Sequence, residues 1–155
     1  MSLPRQPMRM REKLVLRVTS KLLIPFILLF GLYVQFHGDF GPGGGFQAGV
    51  IFAAGFILYG LIFGLDEVEQ VVPHRVVEIG SALGVLIYGG VGVATILLGA
   101  NYLDYSVLAH DAAHGRHYGI LAIEAGVGLT VFSTMMLIFY AFADRGRADA
   151  EEEAS

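Results

Sequence analysis

The sequence has no cysteine and no tryptophan, and only 15% of its 155 residues are charged. Without cysteine the chain can form no disulfide scaffold, no thiolate zinc site, no cysteine-held iron–sulfur cluster and no cysteine nucleophile. Any metal site would therefore need histidine and carboxylate ligands. A hydrophobic share of 55% and a mean hydropathy of +0.63 are typical of a membrane protein and exclude intrinsic disorder. Nothing in the charge pattern supports nucleic-acid binding.

Long apolar runs make up most of the chain. A bilayer core of ~30 Å requires about 20 apolar residues per helix, and four runs reach that length. We therefore predict an all-α integral membrane protein with four transmembrane helices at 18–36, 46–65, 76–99 and 118–143. The predicted regions are a basic N-terminal arm, the transmembrane domain and an acidic tail, at 1–17, 18–143 and 144–155.

The first apolar run follows basic residues, as the core of a secretory signal peptide does. It is long for such a core, and no small-x-small cleavage pattern follows it, so we expect it to remain as a helix. Lysine and arginine beside the spans predict the orientation. A cytoplasmic N-terminus leaves only Arg116 of the ten basic residues outside. The nine others are Arg5, Arg9, Arg11, Lys13, Arg17, Lys21, Arg75, Arg145 and Arg147. We expect both termini to be cytoplasmic.

A glycine-rich stretch precedes the second predicted helix and reads Gly41-Pro42-Gly43-Gly44-Gly45-Phe46-Gln47-Ala48-Gly49. A phosphate-binding P-loop needs Lys-Ser/Thr after the glycines, where Phe46-Gln47 stands instead. A dinucleotide fingerprint fits loosely, but membrane-length spans flank it, and its acidic residue, Asp66, would lie a bilayer away. We interpret the stretch as a tight turn that enters a closely packed helix.

Small residues recur four positions apart in the second and third predicted helices, a spacing that favours close helix packing. The pairs are Gly45/Gly49, Gly60/Gly64 and Gly80/Gly84. Because the chain has only four spans with short connections, we expect other subunits to supply some of the packing partners.

Two motifs resemble the B subunit family of the multisubunit Na+/H+ antiporters called Mrp or Mnh. The first motif consists of Pro42, Gly43, Gly44, Gly45, Phe46 and Gly49. The second is the stretch 123–131, in which Glu124 stands where many relatives have aspartate. Ala48 departs from the family pattern, since relatives often have another glycine there. The likeness covers roughly residues 20–140.

The resemblance implies a small subunit, in a bacterial or archaeal cell membrane, of a complex that exchanges cytoplasmic sodium for external protons. Its partners would be larger ion-translocating subunits, which it would pack and support, and the lipid bilayer. B-like subunits also occur in membrane-bound hydrogenases and other redox-driven pumps related to complex I, and this alternative stays open. We expect no cofactor and no enzymatic activity, because no acid–base pair or nucleophile motif is present.

Four ionisable residues are candidates for an ion or proton pathway: Glu124, Glu78, His37 and Asp39. An acid in mid-span, as Glu124 is, costs several kcal/mol unless it faces protein, water or a partner. It would relay protons, or it would lock the bundle by a hydrogen bond to a group such as Thr130 or Gln47. Glu78 follows Arg75 by one turn and would pair with it if it has no role in transport.

His37 and Asp39 flank the glycine turn and would line an external ion entrance, unless Asp39 only caps the turn. Three further histidines lie in the last connection, at His110, His114 and His117. They would bind zinc if they shared a helical face. A solvated loop, or a contact with a neighbouring subunit, is the alternative.

Overall fold

A computed structural model describes residues 14–38 and 41–154 of the chain. These residues form five α-helices and one short 3-10 helix, Tyr105–Val107. The α-helices are α1 (Leu14–His37), α2 (Gly45–Phe63), α3 (Leu65–Val71), α4 (His74–Leu97) and α5 (Ala112–Ala154). All except α3 are long and apolar enough to cross a membrane, which confirms the prediction of four helical spans.

The short helix α3 lies where the sequence predicted a simple connection. It starts after Gly64, whose φ of 116° is a conformation that residues with a side chain rarely adopt. Gly64 therefore ends α2 and is not part of the helix. The predicted packing pair of Gly60 and Gly64 along one helix is wrong for this reason. Asp66 and Glu67 lie in the first turn of α3, where negative charge is favourable.

The last helix continues through the acidic C-terminal stretch. α5 has 43 residues, so it is about 64 Å long at 1.5 Å per residue. A bilayer core of ~30 Å accommodates only about half of that length. The stretch after Asp144 therefore extends the last helix beyond its apolar part.

Helix α5 is the centre of the bundle. It packs against α2 and α4, while α1 packs mainly against α2. Gly49 of α2 and Gly84 of α4 lie so close to α5 that an added β-carbon would be 2.6 and 2.5 Å from the carbonyl oxygens of Gly128 and Gly126. Close packing at these glycines is thus confirmed. The partner at both positions is α5 of the same chain. The expectation that other subunits supply some of the packing partners stays a prediction.

The two ends of the bundle differ in character. At one end the charged groups of Arg17 and Lys21 each lie 5.7 Å from the ring centre of Phe63, and Arg147 pairs with Asp66 at 2.7 Å. We call this the α3 end. The turn between α1 and α2 and the 3-10 helix lie at the opposite end, which we call the glycine-turn end. The start of α1 and the charged stretch of α5 are therefore at the same end.

Large apolar side chains cover much of the outer surface. Phe26 of α1 is 63% exposed and Leu86 of α4 is 69% exposed. Such surfaces suit lipid or neighbouring membrane helices. The main buried cluster lies at the α3 end and consists of Val68, Val72, Val77, Met136 and Tyr140.

Candidate functional site

The turn between α1 and α2 depends on glycine at adjacent positions. Its backbone is closed by two hydrogen bonds, in which the N–H groups of Gly41 and Gly44 donate to the carbonyls of His37 and Val34, both at 3.1 Å. Gly44 has a φ of 116°. A β-carbon on Gly43 would lie 2.8 Å from the carbonyl oxygen of Val34. Side chains are therefore excluded at both positions.

The carboxylate of Glu124 lies directly against this turn. A β-carbon added to Gly38 would collide with its oxygens, and one added to Gly44 would lie 3.0 Å from Oε1. A β-carbon on Gly45 would collide with the backbone carbonyl of Glu124 itself. The two sequence motifs, which lie far apart in the chain, thus form one site. We call Gly38, Gly44, Gly45 and Glu124 the glycine-turn site.

The start of α2 gives this site its electrostatic character. The first N–H groups of a helix have no partner within the helix and carry a partial positive charge. Gly44 is the N-cap of α2 and offers no side-chain cap. A carboxylate beside this terminus is therefore in a favourable position, and Glu124 is half-buried there. Thr130, which the sequence suggested as a partner of Glu124, donates its hydroxyl hydrogen to the Gly126 carbonyl of its own helix at 2.9 Å.

The other residues of the glycine motif lie around the site. His37 is half-buried and stacks on Tyr33, with ring centres 5.0 Å apart. Pro42 and Phe46 are exposed, Phe46 by 63%. Asp39 lies outside the described residues. Of the predicted entrance residues, the structure thus describes His37, which lies next to the turn.

An apolar groove of about 460 Å³ begins beside the site and extends towards the α3 end. Its walls are Gln35, Phe52, Phe56, Val71, Val72, Val76, Ala125, Gly128, Leu129 and Phe132. Gln35 is its one polar residue, and the side-chain nitrogen of Gln35 is buried without a hydrogen-bond partner among the described residues. None of these wall residues is ionisable, so the groove offers no charged path away from Glu124.

Comparison with known proteins supports the resemblance carried by these motifs. Residues 15–137 match the family described as "Domain related to MnhB subunit of Na+/H+ antiporter". The chain belongs to this family. The glycine turn and Glu124 both lie inside the matched range.

Two staphylococcal relatives carry the name "Putative antiporter subunit mnhB2". The protein of Staphylococcus haemolyticus (strain JCSC1435) is 32% identical over 132 residues, which cover 83% of this chain and 93% of that protein. The protein of Staphylococcus aureus (strain Newman) is 45% identical over 71 residues, which cover 44% of this chain and 50% of that protein. The family and the four apolar helices agree with a multi-pass membrane protein that takes part in antiport.

The remaining acidic candidate lies away from the glycine-turn site of this MnhB-family chain. Glu78 is exposed on the second turn of α4, near the α3 end. Glu124 lies at the opposite end of the bundle. The structure therefore does not bring Glu78 and Glu124 together.

The histidine-rich connection does not form one helical face. His110 precedes α5, which begins at Ala112, whereas His114 and His117 are on its first turns. Nδ1 of His114 lies 3.0 Å from Oδ2 of Asp111, and both side chains are largely exposed. In the part of the chain that the structure describes, the one group of three or more side chains placed to share a metal ion lies at the α3 end and includes none of these histidines.

Next to these histidines, the 3-10 helix is capped by Asp104. Its carboxylate accepts hydrogen bonds from the hydroxyl of Ser106 at 2.6 Å and from the backbone N–H of Ser106 at 3.2 Å. These bonds hold the pKa of Asp104 below its usual value. Burial raises the pKa of Tyr105, whose ring packs against Gly119 of α5. The Tyr105 contact joins the loop to α5.

Gln35 and Tyr140 were not among the residues that the sequence predicted for the site. A glutamine near the end of an apolar span was a usable signal for Gln35, since polar residues in membrane helices usually face protein. Tyr140 had no such signal, because its partner is a backbone carbonyl 68 residues away.

Proposed function

We propose that this chain is a small membrane subunit of a multisubunit Na+/H+ antiporter and that it mainly packs against and supports the ion-translocating subunits. Its membership of the MnhB family supports the antiporter role. The observation that carries the supporting role is the contact of Glu124 with the glycine turn, combined with a groove whose walls are not ionisable. The exposed apolar faces of α1 and α4 suit contact with such partners.

In this proposal Glu124 is an anchor. Its carboxylate holds α5 against the turn that joins α1 to α2, and the glycines at 38, 44 and 45 leave the space that it needs. An acid at this depth is costly unless protein groups surround it, and the start of α2 supplies a favourable field. The anchor would set the shape of the surface that the subunit presents at its glycine-turn end.

The four candidate pathway residues do not make a transmembrane route in this proposal. Glu78 lies near the opposite end from Glu124, and the groove between the two ends has uncharged walls. His37 and Asp39 would act, if they act in transport, only at the outer mouth of the assembled complex. Sodium and protons are then the ions of the complex, carried by its larger subunits.

The proposed setting is the cell membrane of a bacterium or archaeon, with both termini in the cytoplasm. The partners are the other antiporter subunits and the lipid bilayer. We propose neither a catalytic cofactor nor a catalytic site for this chain.

Deletion of the chain and purification of its native assembly test this proposal together. We expect a non-histidine affinity tag on the chain to retrieve large antiporter-like subunits in mild detergent. Deletion should abolish Na+/H+ exchange in everted vesicles and lower the amount of assembled complex, and re-expression should restore both. Unchanged exchange after deletion would contradict the proposal. Co-purified nickel–iron or iron–sulfur subunits would favour the hydrogenase-type alternative instead.

A further inference from the structure

Three metal-ligating side chains from three helices converge at the α3 end of the bundle. Glu69 comes from α3, His74 from the start of α4 and Asp144 from α5. Nε2 of His74 lies 3.7 Å from Oε1 of Glu69 and 3.8 Å from Oδ2 of Asp144. The three donor atoms all lie within 4.8 Å of one another. This cluster is separate from the glycine-turn site.

The imidazole of this cluster is held by a buried neighbour. The ring of His74 packs on the ring of Tyr140, with centres 4.3 Å apart and planes at 32°. Tyr140 has no exposed surface, and its hydroxyl donates a 2.6 Å hydrogen bond to the carbonyl of Val72. The position of the imidazole therefore depends on packing as well as on attraction to the carboxylates.

Arg147 lies close to this cluster and is paired with a carboxylate outside it. Arg147 donates a 2.7 Å hydrogen bond to Asp66, which is a different carboxylate. Glu69 and Asp144 also lie close enough to Arg147 to attract it electrostatically, but their carboxylate oxygens are directed at His74, at 3.7 and 3.8 Å. Their side chains are 30% and 51% exposed and that of His74 is 40% exposed, so an ion from solution can reach all three.

The spacing fits a small divalent ion. Two ligands on a tetrahedral zinc ion, each about 2.0–2.1 Å from the metal, are roughly 3.4 Å apart. The observed separations of 3.7 and 3.8 Å need only small side-chain rotations to reach that value. One imidazole and two carboxylates also suit a first-row divalent metal better than magnesium or calcium, which prefer oxygen ligands alone.

We propose that Glu69, His74 and Asp144 bind a first-row divalent transition-metal ion, with Zn2+ the best match, and that the ion fastens α5 to the corner between α3 and α4. Water completes the coordination. The site would strengthen the end of the bundle from which α5 extends. This proposal rests on the cluster alone and is independent of the antiporter role.

Zinc titration of the full-length chain tests the site. The chain is purified in mild detergent without a polyhistidine tag, with any subunits that accompany it, and treated with a chelator before ZnCl2 is added. We expect saturable uptake, and His74→Ala should lower the number of zinc ions bound by one per chain. Asp144→Asn should weaken that binding by about tenfold or more. Mg2+ at the same concentration should not compete.

His114→Ala is the matched control, because His114 is also a histidine beside a carboxylate, Asp111, at 3.0 Å. This variant should bind zinc as the wild type does. Equal uptake by the wild type and His74→Ala, or an equal loss in His114→Ala, would overturn the proposal. So would the absence of saturable uptake by the wild type.

A stability measurement gives a second readout. An ion that binds only the folded chain raises its melting temperature as the ion concentration increases. Zn2+ should therefore raise the Tm of the wild type and of His114→Ala, but not that of His74→Ala. If His74→Ala does not fold, Glu69→Gln serves in its place, and an unchanged zinc effect in that variant would overturn the proposal.

Discussion

The hydroxyl of Tyr140 on α5 donates a 2.6 Å hydrogen bond to the backbone carbonyl of Val72, which lies between α3 and α4. Both residues belong to the buried cluster at the α3 end. The bond therefore links the central helix to the corner of the backbone between α3 and α4. It also places the Tyr140 ring under His74.

Tyr140→Phe should destabilise the protein by about 1–3 kcal/mol, because the carbonyl of Val72 would lose its partner in a buried position. The measurement is the midpoint of thermal unfolding in detergent. Tyr118→Phe is the control, since Tyr118 lies on the same helix and is 57% exposed. A midpoint in Tyr140→Phe equal to that of the control would mean that the hydrogen bond contributes little.

Gly45→Leu should prevent assembly, because even the first carbon of the side chain collides with the backbone carbonyl of Glu124. Backbone cannot move aside as a flexible side chain does, so Gly45→Ala should already lower the yield of complex. Gly90 offers a matched control, since a β-carbon there meets nothing within 4 Å. Gly90→Ala and Gly90→Leu should leave chain folding intact. Normal levels of complex and normal antiport in Gly45→Leu would show that the turn tolerates bulk.

Replacement of Glu124 distinguishes an anchor from a transport residue. If it is an anchor, Glu124→Gln keeps most of the packing and hydrogen bonding, so the assembled complex should transport normally. Glu124→Ala should lower the amount of complex, since the groups that the carboxylate contacts lose a partner at a cost of about 1–3 kcal/mol. Antiport in everted vesicles is measured per assembled complex. Glu78→Gln, on the exposed face of α4, is the control and should behave as the wild type.

The opposite pattern would place Glu124 on the ion pathway. The Gln variant would then assemble at wild-type levels and lose transport, because an amide cannot exchange protons at working pH. Glu124→Asp would keep part of the activity, since the negative charge is retained.

Both termini should be cytoplasmic, because nine of the ten basic residues then lie inside. The chain contains no cysteine, so an engineered Ser155→Cys is its only thiol. We expect an impermeant thiol reagent to label it in everted vesicles but not in sealed cells. Asn101→Cys, exposed near the glycine-turn end, should show the reverse pattern. Labelling of Ser155→Cys from outside sealed cells would contradict the predicted orientation.

The sequence predicted the second span well, at 46–65 against the observed Gly45–Phe63, since an uncharged run of membrane length is a strong local signal. It failed for α3, which has only seven residues and is too short for a periodic pattern. The acidic stretch after Asp144 was predicted as a tail. Its alanine, glutamate and arginine residues are good helix formers, so its helical structure was within reach of sequence reasoning.

Within the candidate site, sequence patterns identified the glycine turn and Glu124 but not their contact. The sequence suggested a hydrogen bond from Glu124 across helices, to a group such as Thr130 or Gln47. The structure places Gly38, Gly44 and Gly45 against Glu124. Glycines have no side chain to mark such a contact, so composition could not predict it.

The sequence by itself determined the membrane class, the number of spans and the family, because apolar length and motif order are local properties of the chain. Tertiary structure decided that Gly45 meets Glu124 and that Glu69, His74 and Asp144 share one corner. The physical reason is that membrane helices are apolar on nearly every face, so the sequence pattern does not reveal which faces meet. The distances between these residues depend on how closely the helices approach one another, and small residues at the helix contacts set that approach.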